Sequence, residues 1–197
     1  GAPVLVDVGR PTYTAQTFSN TRYDIWAMQS ALHNLPTING QMQKDGPTFR
    51  AKNVVYQARE ISATLMMDIA PAYPAEAGIR EWTRIVGLER GRQAVISDAF
   101  VMNAPTRDLS MNLMTPCEVS ETEPGALRLE CGRIGGNPGL VVFARFNARI
   151  QQAAVERIDL DLDDRSLTSS WGDHLNRIVL TPRETVQQGT WTVRIAK

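Results

Sequence analysis

The sequence has no excess charge and no long apolar run. Its 21 basic and 21 acidic residues cancel, so the chain has no formal net charge at pH 7. This balance removes the electrostatic attraction on which binding to nucleic acid or to an anionic membrane usually depends. No apolar run approaches the roughly 18 residues that a membrane helix needs. We therefore expect neither nucleic acid as a partner nor a membrane span.

Helical periodicity is also scarce. Only residues 23–32 and 146–155 offer candidate helices, and no internal repeat, linker or low-complexity tract divides the chain. From residue 48 onward, short β-rich runs alternate with turns instead. These runs are 54–56, 61–67, 80–88, 94–102, 108–114, 117–120, 126–131, 140–144, 155–160, 176–180 and 191–195.

Many short strands separated by regular turns predict an all-β fold. We expect an antiparallel β-sandwich of two or more stacked sheets with at most short helices. With 197 residues and 43% apolar content, the chain can bury a sizeable core as a single domain spanning 1–197. It enters an apolar run at residues 3–6 without an initiator methionine or a signal-peptide pattern, so we expect a fragment of a longer protein.

Cysteine is nearly absent, since the chain has only Cys117 and Cys131. They are symmetric about the turn signal Pro124-Gly125, and a three-residue loop over 123–125 would place them opposite each other on a hairpin. One interpretation is two small core residues in a reduced protein. We favour it because cross-strand bridges need particular geometry. The other interpretation is a cross-strand disulfide, which would imply an oxidising compartment.

The residues most capable of chemistry lie near the start of the chain. Asp7 follows the apolar run Val4-Leu5-Val6, and His33 is one of only two histidines. Both residue types bind metals or move protons. Their separation alone carries no metal motif, because zinc signatures need more closely spaced pairs.

Other polar residues are expected to have structural roles. His174 lies in a polar connection and should be a surface histidine. Asp68 and Asp98 lie at strand ends, where they should hydrogen-bond neighbouring turns or pair with Arg80 or Arg84. None of these residues by itself indicates a reaction.

The order and spacing of several short segments resemble the C-terminal β-sheet domain of the heparinase II/III-like polysaccharide lyases. The matching pieces are Val6-Asp7-Val8-Gly9, residues 30–43 with His33-Asn34, residues 68–73, Trp82-Thr83-Arg84, residues 96–100, Ser170-Trp171-Gly172 and residues 177–180. Together they span nearly the whole chain. The resemblance implies an α/α toroid, absent from this chain, and an active-site cleft between the toroid and the β-domain.

The resemblance also implies a metal site. Family members that hold zinc use an Asp at a Val-Asp-x-Gly strand end and a later His before Asn, which by position are Asp7 and His33. The third ligand is expected upstream of Gly1, so zinc is implied for the longer protein and is not required of this chain alone. If the family geometry holds, the two side chains should converge on one polar pocket. Tyr13 and Tyr23 are candidate substrate-facing residues, because the family uses tyrosines in its cleft.

By this resemblance, the chain supports the cleft of a lyase that cleaves uronic-acid polysaccharides, such as glycosaminoglycans, by β-elimination. Its partners would be an acidic polysaccharide and the helical domain of the same protein, in the periplasm or outside the cell. The chain alone should be inactive, because the groups that neutralise the uronate carboxylate and move protons lie elsewhere. The alternative is a non-catalytic carbohydrate-binding or interaction module, because a fold does not determine function.

Overall fold

The computed structural model describes residues 2–132, 139–162 and 164–197. Within them, the chain forms antiparallel strands in two sheets, which confirms the all-β prediction. The strands are β1 (Pro36–Ile38), β2 (Lys52–Ala58), β3 (Ser62–Asp68), β4 (Ile79–Glu89), β5 (Gln93–Thr106), β6 (Leu109–Thr115), β7 (Glu118–Glu123), β8 (Ala126–Cys131), β9 (Leu140–Arg145), β10 (Gln151–Asp159), β11 (His174–Pro182) and β12 (Val186–Ala196).

The two sheets share one core. The four-stranded sheet has the order β1-β6-β11-β10, and the eight-stranded sheet has the order β2-β3-β4-β5-β12-β9-β8-β7. Side chains alternate between the two faces of a strand, so a strand with one face on the core buries every second residue, as β11 does from Asn176 to Pro182. The rings of Trp82 and Phe100 stack at 4.9 Å, and Trp191 meets Phe100 edge-on at 5.3 Å. These aromatic residues on β4, β5 and β12 pack in the same cluster as apolar residues of β6 and β11.

The helical content differs from the sequence prediction. Residues 23–32 form separate 3-10 turns rather than one helix, because Ile25 and Gln29 adopt extended backbone angles between the turns. From Gln151 onward, the second candidate helix is instead strand β10, which pairs with β11. A short α-helix, α1 (Arg165–Trp171), was not predicted. No helix within the described residues is long and apolar enough to cross a membrane.

The cysteine hairpin has the predicted register, since Val119 pairs with Leu129. Cys117 and Cys131 nevertheless form a disulfide, with their Cα atoms 4.1 Å apart. The favoured interpretation of two reduced core cysteines is therefore wrong. Both side chains lie on the core face of the hairpin and are buried, so the bridge is part of the core.

The eight-stranded sheet has an exposed apolar end. Strand β2 is exposed along its whole length, and no other described strand pairs with its outer edge. Tyr56, Leu65 and Val86 lie side by side across β2, β3 and β4. Tyr56 is 65% exposed and Val86 is 38% exposed. The described part of the chain therefore leaves an apolar face uncovered at this end.

Candidate functional site

The N-terminal segment reaches the candidate site along the edge of β6. The Val6 N–H donates to the Met114 carbonyl at 3.0 Å, although the segment is not a regular strand. Strand β1 pairs with the same β6, with Pro36 opposite Met111. The two segments therefore follow one edge of β6 in succession, and His33 lies just before β1.

Asn34 joins these two segments through its side chain. Its amide N–H donates to the Val6 carbonyl at 2.9 Å, and its amide oxygen accepts the Met114 N–H at 2.8 Å. A side-chain amide has the same donor and acceptor groups as a peptide, so it can bridge two backbone segments. Asn34 thereby fixes the chain on both sides of the site, next to Asp7 and next to His33.

A buried ion pair between Arg84 and Asp98 lies against the backbone of Asn34. The Arg84 guanidinium donates to the two carboxylate oxygens of Asp98 at 2.8 and 2.7 Å, and the Trp82 indole N–H adds a third hydrogen bond at 2.8 Å. Arg84 is 4% exposed and Asp98 is fully buried. Arg84 also donates to the Asn34 carbonyl at 2.6 Å. This geometry confirms the structural role expected of Asp98 and connects the core to the site.

Asp7 and His33 are in direct contact. His33 Nδ1 lies 2.9 Å from Asp7 Oδ2, and His33 Nε2 lies 3.1 Å from the Ala27 carbonyl oxygen. The His33 side chain is 22% exposed and that of Asp7 is 71% exposed. The structure thus brings together, at the surface, two side chains that are 26 residues apart in the sequence.

The Asp7 carboxyl is held in its ionised form. Burial acts to raise its pKa, but the Gly9 backbone N–H, together with the hydrogen bond and charge of His33, outweighs burial and lowers the pKa below its ordinary value. The Gly9 N–H donates to Asp7 Oδ1 at 2.9 Å. This turn requires a φ of 83° at Gly9, a left-handed conformation that glycine adopts without steric cost. An ionised carboxylate is the form that binds metal ions.

The pair fits part of a metal-ligand set. Two ligands of one tetrahedral zinc, with bonds of about 2.05 Å, lie about 3.3 Å apart. Asp7 Oδ2 and His33 Nδ1 are 2.9 Å apart, so a small widening would admit an ion between them. No group of three His, Cys, Asp or Glu side chains within the described residues is placed to hold a metal. Zinc binding by Asp7 and His33 therefore stays a prediction.

An open groove lies close to the pair along the chain. Residues 28–30 and 40–45 line it together with Tyr23, Pro74 and Glu76, and it encloses about 400 Å³. We call it the glutamine groove, because three glutamines contribute to its lining. Its Ser30 begins the 3-10 turn that ends just before His33.

The two candidate substrate-facing tyrosines have different surroundings. Tyr23 lines the glutamine groove and is 46% exposed, with the Arg22 guanidinium 5.2 Å from the centre of its ring. Tyr13 is 53% exposed, accepts a hydrogen bond from Arg10 and meets Phe18 edge-on at 5.4 Å. Only Tyr23 is therefore placed with other residues that could hold a ligand in the groove.

Known structures share this fold. The heparan sulfate lyase HepC from Pedobacter heparinus superposes with a TM-score of 0.67 at 13% identity, over 98% of this chain and 28% of that one. A mutant of that enzyme gives a TM-score of 0.68 at 12% identity over the same shares of both chains. A heparinase III gene product with methylated lysines gives 0.62 at 13% identity, over 98% and 27%.

The chain has the fold of one part of these lyases. It spans little more than a quarter of their length, since the shares are 27% and 28%. No protein-family model and no curated protein matches this sequence. At 12% to 13% identity, the likeness establishes the fold, and the activity has to be argued from the site.

The second histidine has a role that the sequence did not indicate. His174 Nδ1 lies 2.7 Å from Asp173 Oδ1, and His174 Nε2 lies 3.1 Å from Glu118 Oε1. Its side chain is 15% exposed and contacts two exposed carboxylates, so His174 lies at the surface as expected, but at the start of β11 rather than in a connection. Because Glu118 lies on β7 and His174 on β11, the ring connects the two sheets. Both ring nitrogens of His174 are thus occupied by carboxylates.

Sequence reasoning missed the glutamine groove. Gln41, Gln43 and Lys44 follow the turn signal Asn39-Gly40, and alternate residues of an extended segment project to the same side. That short polar run directly after a turn could have indicated a polar groove. The neighbouring turn that carries Ser30 could not be placed against it from the sequence, because no local pattern specifies that contact.

Proposed function

We propose that this chain is the β-sandwich domain of a lyase that cleaves a uronate-containing, acidic polysaccharide by β-elimination. In this proposal the domain forms one side of the active-site cleft. The observation that carries it is the direct contact between Asp7 and His33, at 2.9 Å, on a fold that heparan sulfate lyase structures share over 98% of the chain. No local sequence pattern specifies this contact, because the two residues are 26 positions apart.

The chemistry divides between this domain and the remainder of a longer protein. β-Elimination needs a group that offsets the uronate charge, a base for the C5 proton and an acid for the leaving oxygen. In our proposal, Asp7 and His33 hold zinc together with a third ligand from outside the chain. A zinc ion, when bound, supplies positive charge at the site. Asn34 and Arg84 act as positioning residues, since they fix the backbone on both sides of the pair.

Two structural features support the proposed partners and location. The uncovered apolar face around Tyr56 and Val86 supports a helical domain of the same protein as a partner, because contiguous exposed apolar surface marks interaction sites. The Cys117–Cys131 disulfide supports an oxidising compartment, either periplasmic or extracellular. The polysaccharide partner follows from the proposed reaction.

Product formation tests this proposal. A longer protein that contains this chain would be incubated with heparan sulfate, hyaluronan and alginate, and the ultraviolet absorbance of unsaturated uronate products would be followed. We expect steady product formation from at least one of these substrates. The isolated chain should give none, because it lacks a complete set of proton-transfer groups. Absence of product from the longer protein, or steady product from the isolated chain, would contradict the proposal.

The glutamine groove favours a second candidate function. The groove lies wholly within this chain, whereas the proposed metal site needs a ligand from outside. A non-catalytic carbohydrate-binding module would need only the groove. Sugar binding by the isolated chain, combined with an inactive longer protein, would favour this alternative.

A further inference from the structure

We propose that the glutamine groove binds one uronate sugar unit of the acidic polysaccharide, with Lys44 as the partner of its carboxylate. For its ligand class, this inference rests on the proposed function. It adds a binding site that is separate from the Asp7–His33 pair and complete within this chain. Four features of the groove carry it.

The first feature is uncommitted polar side chains. Lys44 forms no ion pair within the described residues, and its ammonium lies 5.4 Å from the centre of the Phe49 ring. The Gln41 side chain makes no hydrogen bond in the described part of the chain. A lysine offers three donors to a carboxylate, and an amide offers donors and an acceptor to sugar hydroxyls. A ligand can therefore use both side chains without breaking a hydrogen bond or an ion pair of either one.

The second feature is a fixed backbone beneath these side chains. Gln41 exchanges two backbone hydrogen bonds with Ile38, at 2.9 and 3.0 Å. The Gln43 N–H donates to Ser30 Oγ at 2.9 Å, and the Lys44 N–H donates to the Ala72 carbonyl at 3.1 Å. A segment held at successive residues loses little conformational freedom when a ligand binds, which favours affinity.

The third feature is a mixture of apolar and polar lining. Tyr23, Met28, Met42 and Pro74 supply apolar surface beside the glutamines. A pyranose ring has apolar C–H faces and polar hydroxyl edges, so it needs both kinds of surface. Exposed aromatic rings such as that of Tyr23 offer a large rigid contact area. A volume of about 400 Å³ lies within the range of small-ligand sites.

The fourth feature is the set of charged side chains in the lining of the groove. Lys44 is the cation among the lining residues, and Asp45 and Glu76 are the anions. One ammonium suits one carboxylate of a ligand, while the two carboxylates can accept hydrogen bonds from its hydroxyls. The one cation and two anions give the lining a net negative charge, so an anionic sugar fits only with its carboxylate on Lys44 and its hydroxyls toward Asp45 and Glu76. A uronate is a sugar of this kind.

Calorimetric titration of the 197-residue chain tests the site. The probe is a tetrasaccharide of alternating glucuronate and N-acetylglucosamine, and a neutral N-acetylglucosamine tetramer is the comparison ligand. A chelator is present throughout, so that adventitious metal at Asp7 and His33 plays no part. We expect saturable binding of the uronate tetrasaccharide and at least about tenfold weaker binding of the neutral one, because a hydrogen bond to a charged group is lost.

Two lysine variants identify the site. Lys44→Gln should weaken binding of the uronate tetrasaccharide by about tenfold or more and leave binding of the neutral tetramer unchanged. The matched control is Lys52→Gln, which removes an exposed lysine from β2, and its affinity should equal that of the unaltered chain. Tyr23→Ala should weaken binding of both ligands, whereas Tyr23→Phe should retain it. Unchanged melting temperatures would show that the variants are folded.

Three results would overturn the inference. They are absence of saturable binding, equal affinity for the two tetrasaccharides, and equal affinity of the Lys44→Gln and Lys52→Gln variants. The outcome is separate from that of the proposed function, which is measured as product formation by the longer protein. If the longer protein is inactive but binding depends on Lys44, the lyase proposal is contradicted and the binding site is not. An active one without such binding would contradict this site alone.

Discussion

At the scale of single residues, Asp7 and Asp98 are both carboxylates but have opposite settings. Asp7 is at the surface and is stabilised by the Gly9 N–H and by His33. Asp98 is fully buried and is stabilised by Arg84 and Trp82. The free energy lost on removing each charge therefore depends on solvent access. Water can replace the partners of Asp7 but cannot reach those of Asp98.

Asp7 should make stability depend on pH. Its folded pKa lies below the ordinary value, so its contribution to the free energy of unfolding is present above the unfolded pKa of about 3.9. The contribution is lost as the pH falls through the folded pKa. Asp7→Asn should therefore lower the stability of the chain at pH 7 by under about 1 kcal/mol, since the group is largely exposed. The difference should vanish at low pH.

Urea denaturation at a series of pH values measures this effect. Asp24→Asn is the control, because the Asp24 side chain makes no hydrogen bond or ion pair within the described residues. It should leave stability unchanged at every pH. A difference between Asp7→Asn and the unaltered chain that grows as the pH falls would contradict the assignment.

Removal of the Asp98 charge should have a much larger effect. Asp98→Asn leaves the Arg84 guanidinium buried without its counter-ion, which costs about 3–5 kcal/mol of stability. The double variant Arg84→Met/Asp98→Leu removes both charges and should recover part of that loss. Denaturant unfolding of the single and double variants measures both values. A change below about 1 kcal/mol in the single variant would mean that the pair is not buried as described.

At the scale of elements, the site depends on how segments are joined to β6. Strand β1 and the segment around Val6 both lie on its edge, and the Asn34 side chain bridges them. The hydrogen-bond donor and acceptor of that amide have separate roles. The donor holds the segment that carries Asp7, and the acceptor holds β6.

Asn34→Asp separates these two roles. The carboxylate can still accept the Met114 N–H, but it cannot donate to the Val6 carbonyl and places an acceptor against it. We expect a loss of about 1–3 kcal/mol in stability, together with a changed NMR signal of the His33 ring. Asn34→Ser is the comparison variant, since it retains a donor. An Asn34→Asp variant with an unaltered His33 signal would show that Asn34 does not position the pair.

How well each strand or helix could be predicted depends on whether residues nearby in the sequence specify it. Strand β8 was predicted with its observed bounds, because Ala126–Cys131 alternates between faces and begins after Pro124-Gly125. The start of β10 was missed, because Gln151 to Val155 shows no alternation and becomes strand by pairing with β11. Helix α1 was missed because Ser and Thr dominate its seven residues, and Asp164 caps it through hydrogen bonds that the sequence alone did not reveal.

At the scale of the whole molecule, the two sheets are connected by the common core and by the contact between His174 and Glu118. The contact between Asp7 and His33 also depends on the whole fold, because it joins residues that are 26 positions apart. Spacing alone could not predict it, and the resemblance to a lyase family could. The resemblance implies a third ligand outside this chain, so the proposed metal site would need a longer protein to complete it.

The most direct test of this account compares the two histidines in the longer protein. Product formation from the acidic polysaccharide would be measured for the unaltered protein, for His33→Ala and for His174→Ala. We expect His33→Ala to lower the rate by at least about a hundredfold, because the proposal makes His33 a metal ligand, and losing a ligand exceeds the 10–100-fold effect of losing an outer partner. His174→Ala should stay within about tenfold of the unaltered rate, and thermal melts should show both variants folded. Equal rates for His33→Ala and the unaltered protein would contradict the account.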